Sequence, residues 1–202
     1  LCFLFFFFSF GFSCFCFLCH FFSFVLMVSL FPPLPSSVVR ALGSCSSLGV
    51  CGSRLVTPYP ALWGLVVAAV PPSVSVSCGC VGGVCALARS SFPSVRVFSA
   101  RSFGVGPSSF VRRSVALVGA VAVSPRPLWL SFPGVPCPPG LVPHFSPSRC
   151  FCGLGSGSWA SLALAVGSGV PCLAYLGVGS SFPVGWSFIG LGGGWFFHPP
   201  II

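Results

Sequence analysis

The chain contains no aspartate and no glutamate. That absence limits what it can fold into more than any pattern along its length. A soluble globule covers its outer face with mixed charges and buries apolar residues behind them. Here nine arginines supply all the formal charge at neutral pH, because lysine is missing too. Charged residues amount to 4%, against about 25% in an ordinary soluble domain. Hydrophobic types reach 55% and the mean hydropathy is +1.04. Each arginine must find a carboxylate outside the chain or at its C-terminus. A membrane protein or an aggregating polypeptide fits these values better than a cytosolic globule.

The missing residue types also close off chemistry. Without carboxylates there is no acid–base pair and no third member for a Ser-His-Asp triad. A carboxylate site for Ca²⁺ or Mg²⁺ cannot form. Without lysine there is no P-loop and no Schiff base. Enzymatic activity is therefore not expected.

Asparagine and glutamine are absent as well. Ten residue types have adenine in every codon: Lys, Asn, Asp, Glu, Gln, His, Tyr, Met, Ile and Thr. Together they occur ten times in 202 residues. The abundant types can all be written without adenine, and every stop codon contains it. An adenine-poor strand thus stays open by chance. The expectation is the translation of an adenine-poor, non-coding or antisense reading frame with no assignable biochemical function. The alternatives are a small integral membrane protein with one or two spans, and a basic segment binding nucleic acid or anionic lipid without specificity.

The expected fold class is mostly irregular or disordered, with no compact globular fold. It has an N-terminal hydrophobic helix at about 1–31 and a second candidate span at about 158–179. A small α-helical membrane protein is the alternative. Residues 1–31 carry no charge, and twelve of the first 24 are phenylalanine. Such a run spans a hydrocarbon core of about 30 Å as a helix, and Pro32-Pro33 ends it. It makes a poor secretory leader, having no basic n-region. The membrane is the expected location, with the bilayer as partner of 1–31 and self-aggregation alongside.

Residues 32–157 hold all nine arginines. The positive-inside rule places this region in the cytoplasm and the N-terminus outside. Its apolar runs Ala61–Val70, Val115–Val123 and Pro127–Phe132 are cut short by Pro71-Pro72, Pro125 and Pro127. Ser73–Ser77 alternates Ser and Val and reads as a short strand. So many breakers argue against a compact domain. Residues 180–202 form an apolar tail broken by Gly192-Gly193-Gly194 and Pro199-Pro200.

Cys16-Phe17-Leu18-Cys19-His20 fits the C-x-x-C-H pattern of c-type haem attachment. It lies inside a phenylalanine-rich run, and no methionine-bearing loop follows to supply a sixth ligand. Cys14, Cys16, Cys19 and His20 form one metal-like cluster. Cys78, Cys80 and Cys85 form another, and Cys150 with Cys152 a third. No two of them match as halves of a zinc site. The thirteen cysteines leave at least one thiol unpaired. Gly155, Gly157 and Ala160, following Gly153, match G-x-G-x-x-A and open the run Ser161–Val166. The acidic ribose ligand of a dinucleotide site cannot exist here. Arg89, Arg96, Arg101, Arg112, Arg113 and Arg126 alternate with Phe92, Phe98, Phe103 and Phe110. That pairing suits non-specific polyanion binding through 89–126, with charge on phosphates and rings under bases. No catalytic, cofactor-binding or metal-binding residue is assigned.

Overall fold

The computed structural model describes residues 33–153 and 155–200. Short apolar runs between the proline and glycine breakers form helices and strands in alternation. The first half comprises α1 (Ser36–Ser44), β1 (Ser47–Gly52), α2 (Pro60–Ala69), β2 (Ser75–Gly79), α3 (Val84–Ser91) and β3 (Val95–Phe98). A 3₁₀ turn, Ala100–Phe103, leads to α4 (Ser108–Ala122) and β4 (Pro127–Phe132). Then come α5 (Pro147–Cys150), α6 (Gly157–Gly167), β5 (Cys172–Tyr175), β6 (Ile189–Gly192) and β7 (Trp195–His198).

The seven strands of the described residues form one sheet in the order β3-β2-β1-β4-β5-β7-β6. Strands β1 to β5 are mutually parallel, and β7 runs antiparallel to both β5 and β6. Parallel strands covered on both faces tolerate continuous apolar runs. In β4 every residue after Pro127 is buried. Leu48, Val50, Leu128, Leu130 and Leu173 pack against α1, α2 and α3 through Val38, Leu42, Trp63, Val66 and Ala88. Trp129, Cys172 and Ala174 pack on the other face against Leu117 and Val121 of α4 and Leu162 and Val166 of α6. The chain winds outward from β1 to β3, then returns to the opposite side of β1. With crossover hand constant, that reversal moves the later helices to the opposite face.

This architecture corrects the expectation of an irregular, disordered chain. The prolines fall between elements or at their first residue. Pro71-Pro72 separates α2 from β2, Pro107 precedes α4, Pro125 lies in the short link before β4, and Pro171 precedes β5. The runs Ala61–Val70 and Val115–Val123 lie largely in α2 and α4; Pro127–Phe132 is β4; Ser73–Ser77 overlaps β2. The candidate span at 158–179 is a helix of 11 residues, α6, followed by a turn and β5. At 1.5 Å per residue that helix is about 16 Å long, half a hydrocarbon core. Among the described residues no helix is long and apolar enough to cross a membrane. The alternative of a small α-helical membrane protein is overturned with it, and so is the membrane location inferred from it. The apolar segment 1–31 lies outside the described residues.

The reading as a non-coding or antisense frame is corrected too. Strand length, breaker position and two-faced burial all agree on one doubly wound arrangement. Such consistency across levels marks a sequence that specifies a structure. The non-specific basic segment offered as an alternative function is likewise replaced by ordered elements, β3, the 3₁₀ turn and α4.

Candidate functional site

In open α/β sheets, ligands bind outside the carboxyl ends of the strands where the strand order reverses. Here the reversal falls between β1 and β4. A crevice of about 1050 Å³ opens at that point, at the upper end of the usual range for ligand pockets. Its walls come from the connections after β1, β2 and β4 and from the first turns of α4 and α6.

Ser53, just past β1, ties three of these connections together. Its N–H donates to the Phe132 carbonyl at 2.9 Å, and its carbonyl accepts the Val84 N–H at 3.1 Å. Its hydroxyl oxygen accepts the N–H groups of Leu55 and Val56 at 3.1 and 2.9 Å. Gly83 precedes α3 at φ +63°, where a Cβ would collide with the Ser53 carbonyl and the Arg54 backbone. Glycine is needed there for both conformation and space. At the rim, Arg54 lies over the Phe110 ring, 5.3 Å from its centroid.

Arg113, on the second turn of α4, is the unusual group. It is only 8% exposed, and it lines the crevice. Its guanidinium rests on Gly79 at the end of β2, occupying the place a Cβ would take. Its Nε is buried and makes no hydrogen bond. A nearly buried cation with an unsatisfied donor is costly. The chain has no acidic side chain to relieve that cost. Comparison with protein-family models, curated proteins and solved structures finds no match to this chain. The crevice must be understood from its own groups.

The anion the chain itself can supply is a thiolate. Cys85, the second residue of α3, lines the crevice and is 2% exposed. The hydrogen bond from Cys78 pulls its thiol down to about 6, helped by the Gly79 N–H and the Arg113 and Arg89 charges, against the opposing effect of burial. Cys78 is pushed the other way by that same bond and by burial. Arg89 donates to the Gly79 and Val81 carbonyls at 2.8 and 3.1 Å, which pins the turn after β2. With Arg54 and Arg113 both lining the crevice, one thiolate leaves the site positive.

Burial pushes the Cys51 thiol up to about 12 and the Cys45 thiol up to about 11. A raised folded-state value is stability present below the unfolded value of 9.0 and lost as pH climbs toward the folded value. Cys85 has the opposite sign, so it adds stability as pH rises from about 6. Urea midpoints are therefore expected to rise between pH 5.5 and 8.5 and to fall again above pH 9. A flat profile from pH 5.5 to 10.5 would contradict this assignment of the thiols.

The sequence motifs are distributed unevenly around this site. Gly155, Gly157 and Ala160 do line the crevice. They do not form a strand–turn–helix fingerprint, because α5 intervenes between β4 and α6. The first strand-to-helix turn is Gly52–Arg54, which carries no such motif. Cys78 and Cys85 come together, whereas the Cys80 sulfur accepts the Ala100 N–H at 3.2 Å. Among the described residues no cluster of His, Cys or acidic groups could hold a metal ion. Cys14, Cys16, Cys19 and His20 lie outside the described residues. The arginines of 89–126 are spread over ordered elements. Arg96 stacks on Phe98 at 4.8 Å, Arg112 reaches Ser108 at 3.3 Å, and only Arg113 of the six lines the crevice. Phe98 is buried, and Phe92 is half-buried with an edge-on contact to Trp63. Arg54 was not singled out by sequence, and Cys85 was weighed only as part of a metal-like cluster with Cys78 and Cys80. The glycine-bearing turns that follow the apolar runs at 48–51 and 76–78 were the signal for them.

Proposed function

We propose that the protein binds a small organic anion in the crevice between β1 and β4, through a phosphoryl or carboxylate group held by Arg113. The supporting observation is Arg113, a nearly buried side chain that lines the cavity and whose Nε makes no hydrogen bond, in a chain without acidic side chains. A guanidinium fork matches the planar or tetrahedral oxygens of such a group. Helices α3, α4 and α6 all begin at this end of the sheet, and their N-termini favour negative charge. Leu55, Val81, Phe110 and Leu141 also line the crevice, which suits an apolar body behind the anionic head. Arg54 at the rim is placed to meet the same charge as it enters.

Thermal unfolding at matched ionic strength tests this reading. Inorganic phosphate, pyrophosphate and acetate would each be compared with chloride. At 100 times its Kd a ligand adds about 2.7 kcal/mol, a rise in Tm of roughly 5–10 °C for a chain of this size. Pyrophosphate or phosphate acting alone indicates a phosphoryl ligand; acetate acting as well indicates a carboxylate. If no anion raises the midpoint above the chloride control, the reading fails.

A further inference from the structure

Thiol chemistry in the same crevice is a separate matter from anion binding. Cys78 is the penultimate residue of β2 and Cys85 the second residue of α3, so one tight connection brings them face to face. The Cys78 sulfur lies 3.6 Å from the Cys85 carbonyl oxygen, and the Cys78 side chain is near enough to pull the Cys85 thiol down. Both belong to the core under α3, but their positions are not equivalent: Cys85 also lines the crevice, whereas Cys78 is fully buried and does not. Arg113 rests on Gly79, the residue between Cys78 and the turn.

We propose that Cys85 and Cys78 form a peroxide-sensitive dithiol, with Cys85 as the attacking thiol and Cys78 as the resolving one. The Cys85 thiolate attacks one oxygen of hydrogen peroxide. The O–O bond breaks, Cys85 becomes a sulfenic acid, and hydroxide leaves and takes a proton from solvent. The Cys78 sulfur then attacks the Cys85 sulfur, a second water departs, and a Cys78–Cys85 disulfide remains. The two sulfurs together lose two electrons and the peroxide gains them. Helix N-termini and neighbouring arginines favour the thiolate that this step requires. A thiol held next to a resolving partner stops at the disulfide instead of climbing to sulfinic acid. Peroxide is scarcely larger than water, and Cys85 is the member of the pair that lines the crevice. Other buried thiols lack this setting, since burial pushes Cys51 up to about 12 and Cys172 well above its usual value.

The test uses the full, reduced chain. It is pulsed with hydrogen peroxide at pH 7, quenched with a maleimide and mapped by peptide mass spectrometry. The linked Cys78–Cys85 peptide is expected to appear at least tenfold faster than any oxidation of the exposed Cys152. In Cys78→Ser, dimedone is expected to trap a sulfenic acid on Cys85. In Cys85→Ser, Cys78 is expected to stay reduced. Oxidation of Cys152 ahead of Cys85, or Cys85 linked to some other cysteine, would overturn the proposal. The wild-type map decides the matter even if a variant fails to fold. Anion titration in Cys78→Ser separates this proposal from the ligand reading: Cys78 does not line the crevice, so loss of the disulfide with retained anion binding distinguishes the two.

Discussion

Arg113→Met is expected to raise the stability of the ligand-free protein by about 1–3 kcal/mol and to weaken anion binding roughly 10- to 100-fold. The two effects have one cause. A guanidinium at 8% exposure with an orphan Nε is a buried charge whose desolvation nothing in the chain fully offsets. Methionine fills a similar volume with an unbranched apolar chain. It removes the desolvation penalty together with the charge that holds the ligand. The stability comparison belongs at pH 5, below the titration of Cys85 at about 6, so that the thiolate–arginine attraction does not enter. Arg113→Lys keeps the charge and loses the fork, so binding should weaken less than in the methionine variant. Urea unfolding and calorimetric titration with pyrophosphate measure the two quantities. A methionine variant that is clearly less stable at pH 5 would mean that Arg113 has a structural role, and the ligand reading would lose its support.

The parts of this molecule legible in its sequence are local ones. The alternating Ser73–Ser77 segment overlaps β2, and the run Pro127–Phe132 is β4. Both follow from side-chain period and from what a proline permits. The mistaken inference came from treating the breakers as evidence against a domain. In a parallel sheet each crossover needs a turn at both ends, so frequent proline and glycine between apolar runs of four to six residues is the expected punctuation. The same runs are continuous rather than alternating because both faces of the sheet are covered. The absence of charge misled in a similar way. Solvation at the surface falls here to exposed arginines, serine, glycine and backbone groups in the connections, and apolar side chains such as Val123, Val184 and Leu55 remain exposed. The crevice was less legible still. Arg113 and Cys85 lie 28 positions apart, and only the turn after β2, folded against α4, brings them to one cavity. No spacing rule encodes that contact, since it depends on the order of strands in the sheet.

The largest stability effect is expected at the centre of that sheet, where Trp129 of β4 lies opposite Gly49 of β1. Trp129 is fully buried on the face covered by α4 and α6. A Cβ on Gly49 would run into its indole ring and approach Val121 at 3.0 Å. The missing side chain of one strand is thus the space for the large side chain of the next. Trp129→Ala is expected to cost about 3–5 kcal/mol, through lost burial and the cavity left behind. Gly49→Ala should cost about 1–3 kcal/mol by overpacking. The double variant should be more stable than the sum of the two predicts, by at least about 1 kcal/mol, because the new methyl enters the vacated volume. Val184→Ala, at a fully exposed position, should stay within about 0.5 kcal/mol of the parent. A chain held together by non-specific collapse would give small and additive losses at all three sites. Urea denaturation of the three single variants and the double one discriminates between these outcomes. Coupling between Gly49 and Trp129, with none involving Val184, is the signature of a single packed arrangement of β1 against β4.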